Sequence, residues 1–206
     1  MIFADGFESG DFSHWSSAVT DGGRLSVSPQ AAMVGAQGMR AFITSTKPIY
    51  VVDTSPAAET SYHARFYFSP NSFTIPKNKI QDLFIGRTSS GLVIFRLQFQ
   101  SISGNYQVRG TILNGSGRIV TTNWYTISNS AHAIELAWKS ATSTNSNSGS
   151  LSLWLDGTIK ETRTGIANGG HRLEEVRLGA QTIPVGATGM EYYDAFFSTR
   201  TSYIGP

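Results

Sequence analysis

The sequence predicts an all-β protein in which two antiparallel sheets pack face to face. Three observations carry this. The first is the stretch from His132 to Asp156. Here Ile134, Leu136 and Trp138 alternate with Glu135, Ala137 and Lys139, and Leu151, Leu153 and Leu155 alternate with Ser150, Ser152 and Trp154. Period-two alternation marks strands with one buried face. Asp156-Gly157 then supplies the positive-φ pair of a tight hairpin into Thr158–Thr162. The second is composition: 21 Gly, 12% aromatic and only 15% charged residues, with Ser and Thr abundant and Lys and Glu scarce. Such usage favours strands and turns over helices. The third is that no segment carries a helical stripe. Ala31–Gly38 is short and glycine-flanked, good for one turn at most.

Taken in order, Met1–Ala4 reads as a short strand and Asp5-Gly6 as a turn, with Phe12 and Trp15 as anchors beyond it. Arg24–Ser28 alternates weakly. Gly38–Thr44 and Ile49–Asp53 read as strands, with Pro48 limiting where the second begins and Pro56 ending it. Ser61–Ser69 places Tyr62, Ala64, Phe66 and Phe68 on one face and His63, Arg65 and Tyr67 on the other. Ile80–Arg87 is mostly apolar, as a central strand would be. Leu92–Gln100 places Val93, Phe95, Leu97 and Phe99 opposite Ile94, Arg96, Gln98 and Gln100. Tyr106–Leu113 turns Tyr106, Val108 and Ile112 inward and Gln107, Arg109 and Thr111 outward. Asn114–Gly117 is a hairpin loop, and Arg118–Ile127 returns from it. The run Ser140–Ser150 is a polar loop, and Arg172–Ala180 and Met190–Thr199 close the chain. About a dozen amphipathic strands with short, Gly-containing turns close naturally into one sandwich spanning residues 1–206.

The bulk numbers bound function by exclusion. A 206-residue chain suffices for one large core without staples. It has no cysteine, which removes disulfides and thiolate metal sites. The net charge is +2 with no Lys/Arg cluster, so nucleic-acid binding is not expected. No apolar run is long enough to insert in a membrane. No signal peptide is visible, since Met1-Ile2-Phe3-Ala4 runs straight into Asp5-Gly6. Either export does not use that route or the first residues mark a boundary.

The pattern His132–Trp138, a polar loop, Leu151–Gly157 and then Arg177-Leu178-Gly179-Ala180 resembles the laminin-G-like branch of the concanavalin A-like jelly rolls. The Asp-Gly and Leu-Gly are kept, while Ala131 stands where an aromatic is common. Phe3-Ala4-Asp5-Gly6-Phe7-Glu8 and Tyr192-Tyr193-Asp194-Ala195-Phe196 are similar to the paired terminal strands of secreted bacterial members. The resemblance implies a two-sheet antiparallel jelly-roll β-sandwich and an extracellular or cell-surface location. It is specific for fold and weak for function, because this fold hosts lectins, glycosidases, lyases and adhesion domains. It also implies a structural calcium ion where the two termini meet, with Glu8 and Asp194 as ligands and Asp5 as a further oxygen. Calcium takes carboxylates and carbonyls from such loop-rich corners. The alternative is that Asp5 and Asp11 are turn residues and Asp194 is solvated.

Candidate ligand chemistry lies on the outward strand positions. His63, Arg65 and Tyr67 share one face of one strand, Arg96 and Gln98 one face of another, and Gln107 and Arg109 one face of a third. In a jelly roll these are expected to gather on one sheet surface. Guanidinium groups pair bidentately with carboxylate or sulfate, which suits an acidic polysaccharide. Trp154, opposite the buried leucines, is a candidate stacking platform for a sugar ring, or packs under a loop. Lyases of this fold abstract a proton α to a neutralised carboxylate with His or Tyr, but their strand motifs are absent. A glycosidase is disfavoured because no strand carries two carboxylates on one face: Glu174 and Glu175 are adjacent, and Glu191 and Asp194 are three apart. The expectation is a non-catalytic module for a glycan or cell-surface polysaccharide, calcium-stabilised. Its rivals are a lyase on an acidic glycan and a structural or adhesion domain of a surface or phage assembly, which would self-associate.

Overall fold

The computed structural model describes residues 1–206. Sixteen strands run in chain order as β1 (Ala4–Asp5), β2 (Ser17–Val19), β3 (Leu25–Ser28), β4 (Gly38–Ile43), β5 (Ile49–Asp53), β6 (Ser61–Ser69), β7 (Gln81–Arg87) and β8 (Val93–Ile102). They continue as β9 (Asn105–Leu113), β10 (Ile119–Thr121), β11 (Tyr125–Ile127), β12 (His132–Lys139), β13 (Gly149–Leu155), β14 (Thr158–Ile166), β15 (Glu175–Ala180) and β16 (Gly189–Thr199). The one helical element is a single 3-10 turn, Pro29–Ala31, capped by the Ser28 side chain.

The strands form two eight-stranded antiparallel sheets. Sheet I has the order β14-β13-β12-β6-β16-β4-β3, with β1 also on β16. Sheet II has the order β10-β9-β8-β7-β15-β5-β2, with β11 also on β9. The inner faces share one cluster of 38 buried residues. Aromatic pairs bridge the sheets: Phe66 of β6 meets Phe84 of β7 at 5.5 Å, and Phe68 meets Phe99 of β8 at 5.4 Å. Such tilted contacts add to the gain from area burial. Trp15 and Trp138 are buried, as their spacing predicts.

The alternation of β6 holds without exception, with Tyr62, Ala64, Phe66 and Phe68 all inward. The hairpin at Asp156-Gly157 has φ of 50° and 77°, the positive pair a two-residue turn needs. Elsewhere the chain departs from its pattern for local reasons. The expected single strand Arg118–Ile127 splits into β10 and β11. At the break the Thr122 hydroxyl accepts from Gly110 N and donates to Asn123 O, which takes over part of the ladder. The expected inward Val93 is half-buried and Ile94 is inward instead, because β7 and β8 shift register between Gly86 and Arg87. Strand β15 begins at Glu175 and not at Arg172, whose guanidinium instead donates to the carbonyls of Gly169 and His171.

One buried polar cluster crosses the core. Gln81 Nε2 and Tyr193 Oη both donate to Glu191 Oε2, at 2.8 and 2.9 Å. Glu191 Oε1 and Gln81 Oε1 have no partner. Burial pushes the Glu191 carboxyl up to about 7, against the lowering effect of these two donors.

Candidate functional site

Alternation tells which side chains leave the core but not which sheet they leave it from. The structure divides the predicted ligand residues accordingly. Strand β6 lies in sheet I, so His63, Arg65 and Tyr67 face outward there with Trp154 of β13. Strands β8 and β9 lie in sheet II, so Arg96, Gln98, Gln107 and Arg109 face outward on the opposite side of the sandwich. The expectation of a single gathered surface is therefore corrected to two, back to back. One consequence is chemical. The His63 and Tyr67 bases expected of a lyase stand a full sandwich away from the Arg96 and Arg109 guanidinia that would neutralise its substrate.

On sheet II the cross-strand register places Asp82, Gln98 and Arg109 side by side on β7, β8 and β9. Arg109 Nε donates to Gln98 Oε1 at 2.9 Å, and Gln98 Nε2 donates to Asp82 Oδ1 at 2.9 Å. The Thr182 hydroxyl donates to the same carboxylate, and Arg96 Nε lies 3.4 Å from its Oδ2. The Arg109 guanidinium rests 4.4 Å from the centre of the Trp124 ring. Burial pulls Arg109 below its ordinary value and Asp82 partly offsets this, so it remains a cation at neutral pH. Both arginines thus spend Nε on positioning and point Nη groups that have no partner in the protein. Beside Arg96 a cleft of about 250 Å³ opens between Thr111, Leu113, Leu92 and Ile119. Gln107 sits one row on, accepting from Gln100 Nε2. The arrangement offers donors for an anion next to an apolar wall.

On sheet I the row across β16, β6, β12 and β13 reads Phe197, Arg65, Glu135 and Trp154. Arg65 Nη1 donates to Ala195 O and its guanidinium lies 5.2 Å from the Tyr67 ring, which ties it to the sheet. His63 Nδ1 is 3.3 Å from Glu135 Oε1. Trp154 is not a bare platform, because Tyr203 of the C-terminal segment lies against it, with ring centres 5.6 Å apart.

The three acids expected to hold calcium have other partners. Asp194 Oδ2 accepts from Met33 N and Val34 N, both at 2.7 Å, and its Oδ1 from Ala195 N. Glu8 accepts from Ala36 N and Gln37 N. A side chain at Gly35 would sit 2.3 Å from Glu8 Oε1, so the loop closes on that carboxylate. Asp5 accepts from Phe7 N and from the Trp15 indole, the latter at 2.7 Å. No three acidic or histidine side chains gather closely enough to hold a metal ion. The corner presents N–H groups to the carboxylates where calcium would need carbonyl and carboxylate oxygens, so this donor set does not fit the ion. Glu8 and Asp194 both clamp the 33–37 loop, Asp194 through Met33 N and Val34 N and Glu8 through Ala36 N and Gln37 N. Burial raises the Asp194 carboxyl, and the neighbouring Glu8 charge adds to this.

Sequence reasoning missed Asp82, which anchors the sheet II cluster, and Glu135, which organises the sheet I face. Both carried the same signal: an acid inside a strongly apolar strand, where a charge is costly without partners.

No family model and no curated protein sequence matches the chain. Solved structures share its fold. The binding domain of Paraclostridial Mosquitocidal Protein 1 superposes with a TM-score of 0.63 at 9% identity, over 98% of this chain and 49% of that one. Botulinum neurotoxin type C, whose passage into cells depends on interaction with two ganglioside molecules, gives 0.55 at 10% identity, over 84% and 40%. The serotype D ligand-binding domain in complex with N-acetylneuraminic acid gives 0.53 at 8% identity, over 87% and 43%. The chain spans less than half the length of these neighbours. The fold these structures share with the chain is a two-sheet antiparallel β-sandwich.

Proposed function

We propose that the chain is a non-catalytic glycan-recognition module that binds an acidic saccharide on the outer face of sheet II. The observation that carries this is the pair Arg96 and Arg109. Both are steered by the Asp82–Gln98 relay and both keep free Nη groups, and Arg96 lines an apolar-walled cleft. A carboxylate or sulfate would receive charge-assisted hydrogen bonds from the guanidinia while the ring's apolar face lies against Leu92 and Ile119. Gln107, whose oxygen is held by Gln100 Nε2, offers its amide N–H groups to a neighbouring residue of the polymer. That several neighbours of this fold are receptor- or ligand-binding domains agrees with the reading, as does the low net charge, which leaves selectivity to local chemistry. We assign the chain to the concanavalin A-like, laminin-G-like branch and to an extracellular setting. Glu8, Asp194 and Asp5 act in this reading as acceptors for backbone and indole N–H groups.

Titration calorimetry with a uronate oligosaccharide, a sulfated one and a neutral one tests the reading. A hydrogen bond to a charged group is worth about 1.5–3 kcal/mol. Arg96→Ala and Arg109→Ala should thus each weaken acidic ligands roughly 10-fold to 100-fold. Equal affinity in parent and variants would refute the site.

A further inference from the structure

The opposite face carries a different chemistry. Glu135 projects from the outer side of sheet I, where a carboxylate would ordinarily be solvated, yet it is only 2% exposed. Its cover is the chain's own segment 201–206. Ile204 N and Gly205 N, two consecutive amides, donate to its two oxygens at 3.1 to 3.2 Å. One residue earlier, the Tyr203 ring lies on Trp154 and its hydroxyl donates to Gly157 O at 3.0 Å. Tyr203 itself is 48% exposed, so little apolar area holds the segment down. Beside it a cleft of about 370 Å³ remains open, lined by Ser150, Ser152, Lys139 and His63.

We propose that this segment is a displaceable strap over a second saccharide site, one for a neutral sugar bearing a vicinal diol. The strap's contacts have the form of such a ligand. A carboxylate with two acceptor oxygens takes two adjacent donors, and two hydroxyls on neighbouring ring carbons supply them as short O–H···O⁻ bonds. The apolar face of the same ring would take Tyr203's place on the Trp154 indole. The hydroxyls of Ser150 and Ser152 and the Lys139 ammonium then reach the remaining substituents from the open cleft. The site is independent of the arginine face, which lies across the core.

The test uses the full chain carrying Tyr203→Ala and Ile204→Pro, which removes the ring contact and one amide donor. Calorimetry against neutral gluco-, manno-, galacto- and fuco-oligosaccharides should show at least a ten-fold gain in affinity over the parent for one of them. Adding Glu135→Gln or Trp154→Ala should abolish that gain, while Arg109→Ala should leave it intact. No gain in a cooperatively folded variant, or a gain that survives both additions, overturns the proposal. Should the double variant not fold, amide exchange at Ile204 and Gly205 of the parent decides. It should accelerate with the same oligosaccharides at millimolar concentration, and unchanged exchange overturns the proposal.

Discussion

Replacing Glu191 with Gln should stabilise the protein above neutral pH. The carboxyl is fully buried and raised from its ordinary 4.5 to about 7, with desolvation as the largest cause. Below pH 4.5 the side chain is protonated in both the folded and unfolded chain, and the cluster contributes its full stability. As the pH rises toward 7 the unfolded chain gives up this proton while the folded chain keeps it, so stability falls. Above about 7 both states are ionised and the loss is complete. At ~1.4 kcal/mol per pH unit of separation, the loss is on the order of 3 kcal/mol. The amide variant has the same shape, keeps an acceptor for Tyr193 and Gln81, and adds an N–H donor in a cluster where Glu191 Oε1 and Gln81 Oε1 now lack one. Urea melts of parent and variant from pH 4 to pH 9 read this directly. The two should converge at acid pH and separate by about 2–3 kcal/mol at pH 8, with the variant more stable. Taking the difference cancels other buried acids with raised values, Asp53 and Asp194 among them. A constant difference across the range, or a variant weaker than the parent at pH 8, would refute the assignment.

Two further outcomes follow from the terminal corner. Asp194→Ala strands the buried amides of Met33 and Val34 and should cost about 1–3 kcal/mol, with hydrogen exchange accelerated at residues 33–37 and little changed in the sheet I strands. Chelation with EGTA should leave the thermal midpoint where it is, since backbone N–H groups satisfy the oxygens of Glu8 and Asp194. A fall of several degrees, restored by calcium, would return these residues to a metal site.

The inward half of this fold was legible because it depends on alternation alone. Tyr62 to Phe68, Leu151 to Leu155 and the Asp156-Gly157 turn all fall where their pattern puts them. What alternation does not encode is which sheet a strand joins. That is fixed by long-range pairing, such as β6 between β12 and β16, and of β15 with β5 and β7. Hence Arg65 and Arg96 read as neighbours in the sequence and stand on opposite surfaces of the molecule. The same limit hid the 201–206 segment, whose contacts reach back some seventy residues to Glu135. Trp154 was recognisable as an outward aromatic, but not its pairing with Tyr203.

The most direct measurement of the central claim is an NMR titration of the labelled protein with a uronate oligosaccharide. The arginine side-chain signals of Arg96 and Arg109 and the indole N–H of Trp124 should shift together, while His63 and Trp154 stay still. Perturbation confined to the sheet I face, or none at saturating ligand, would contradict it.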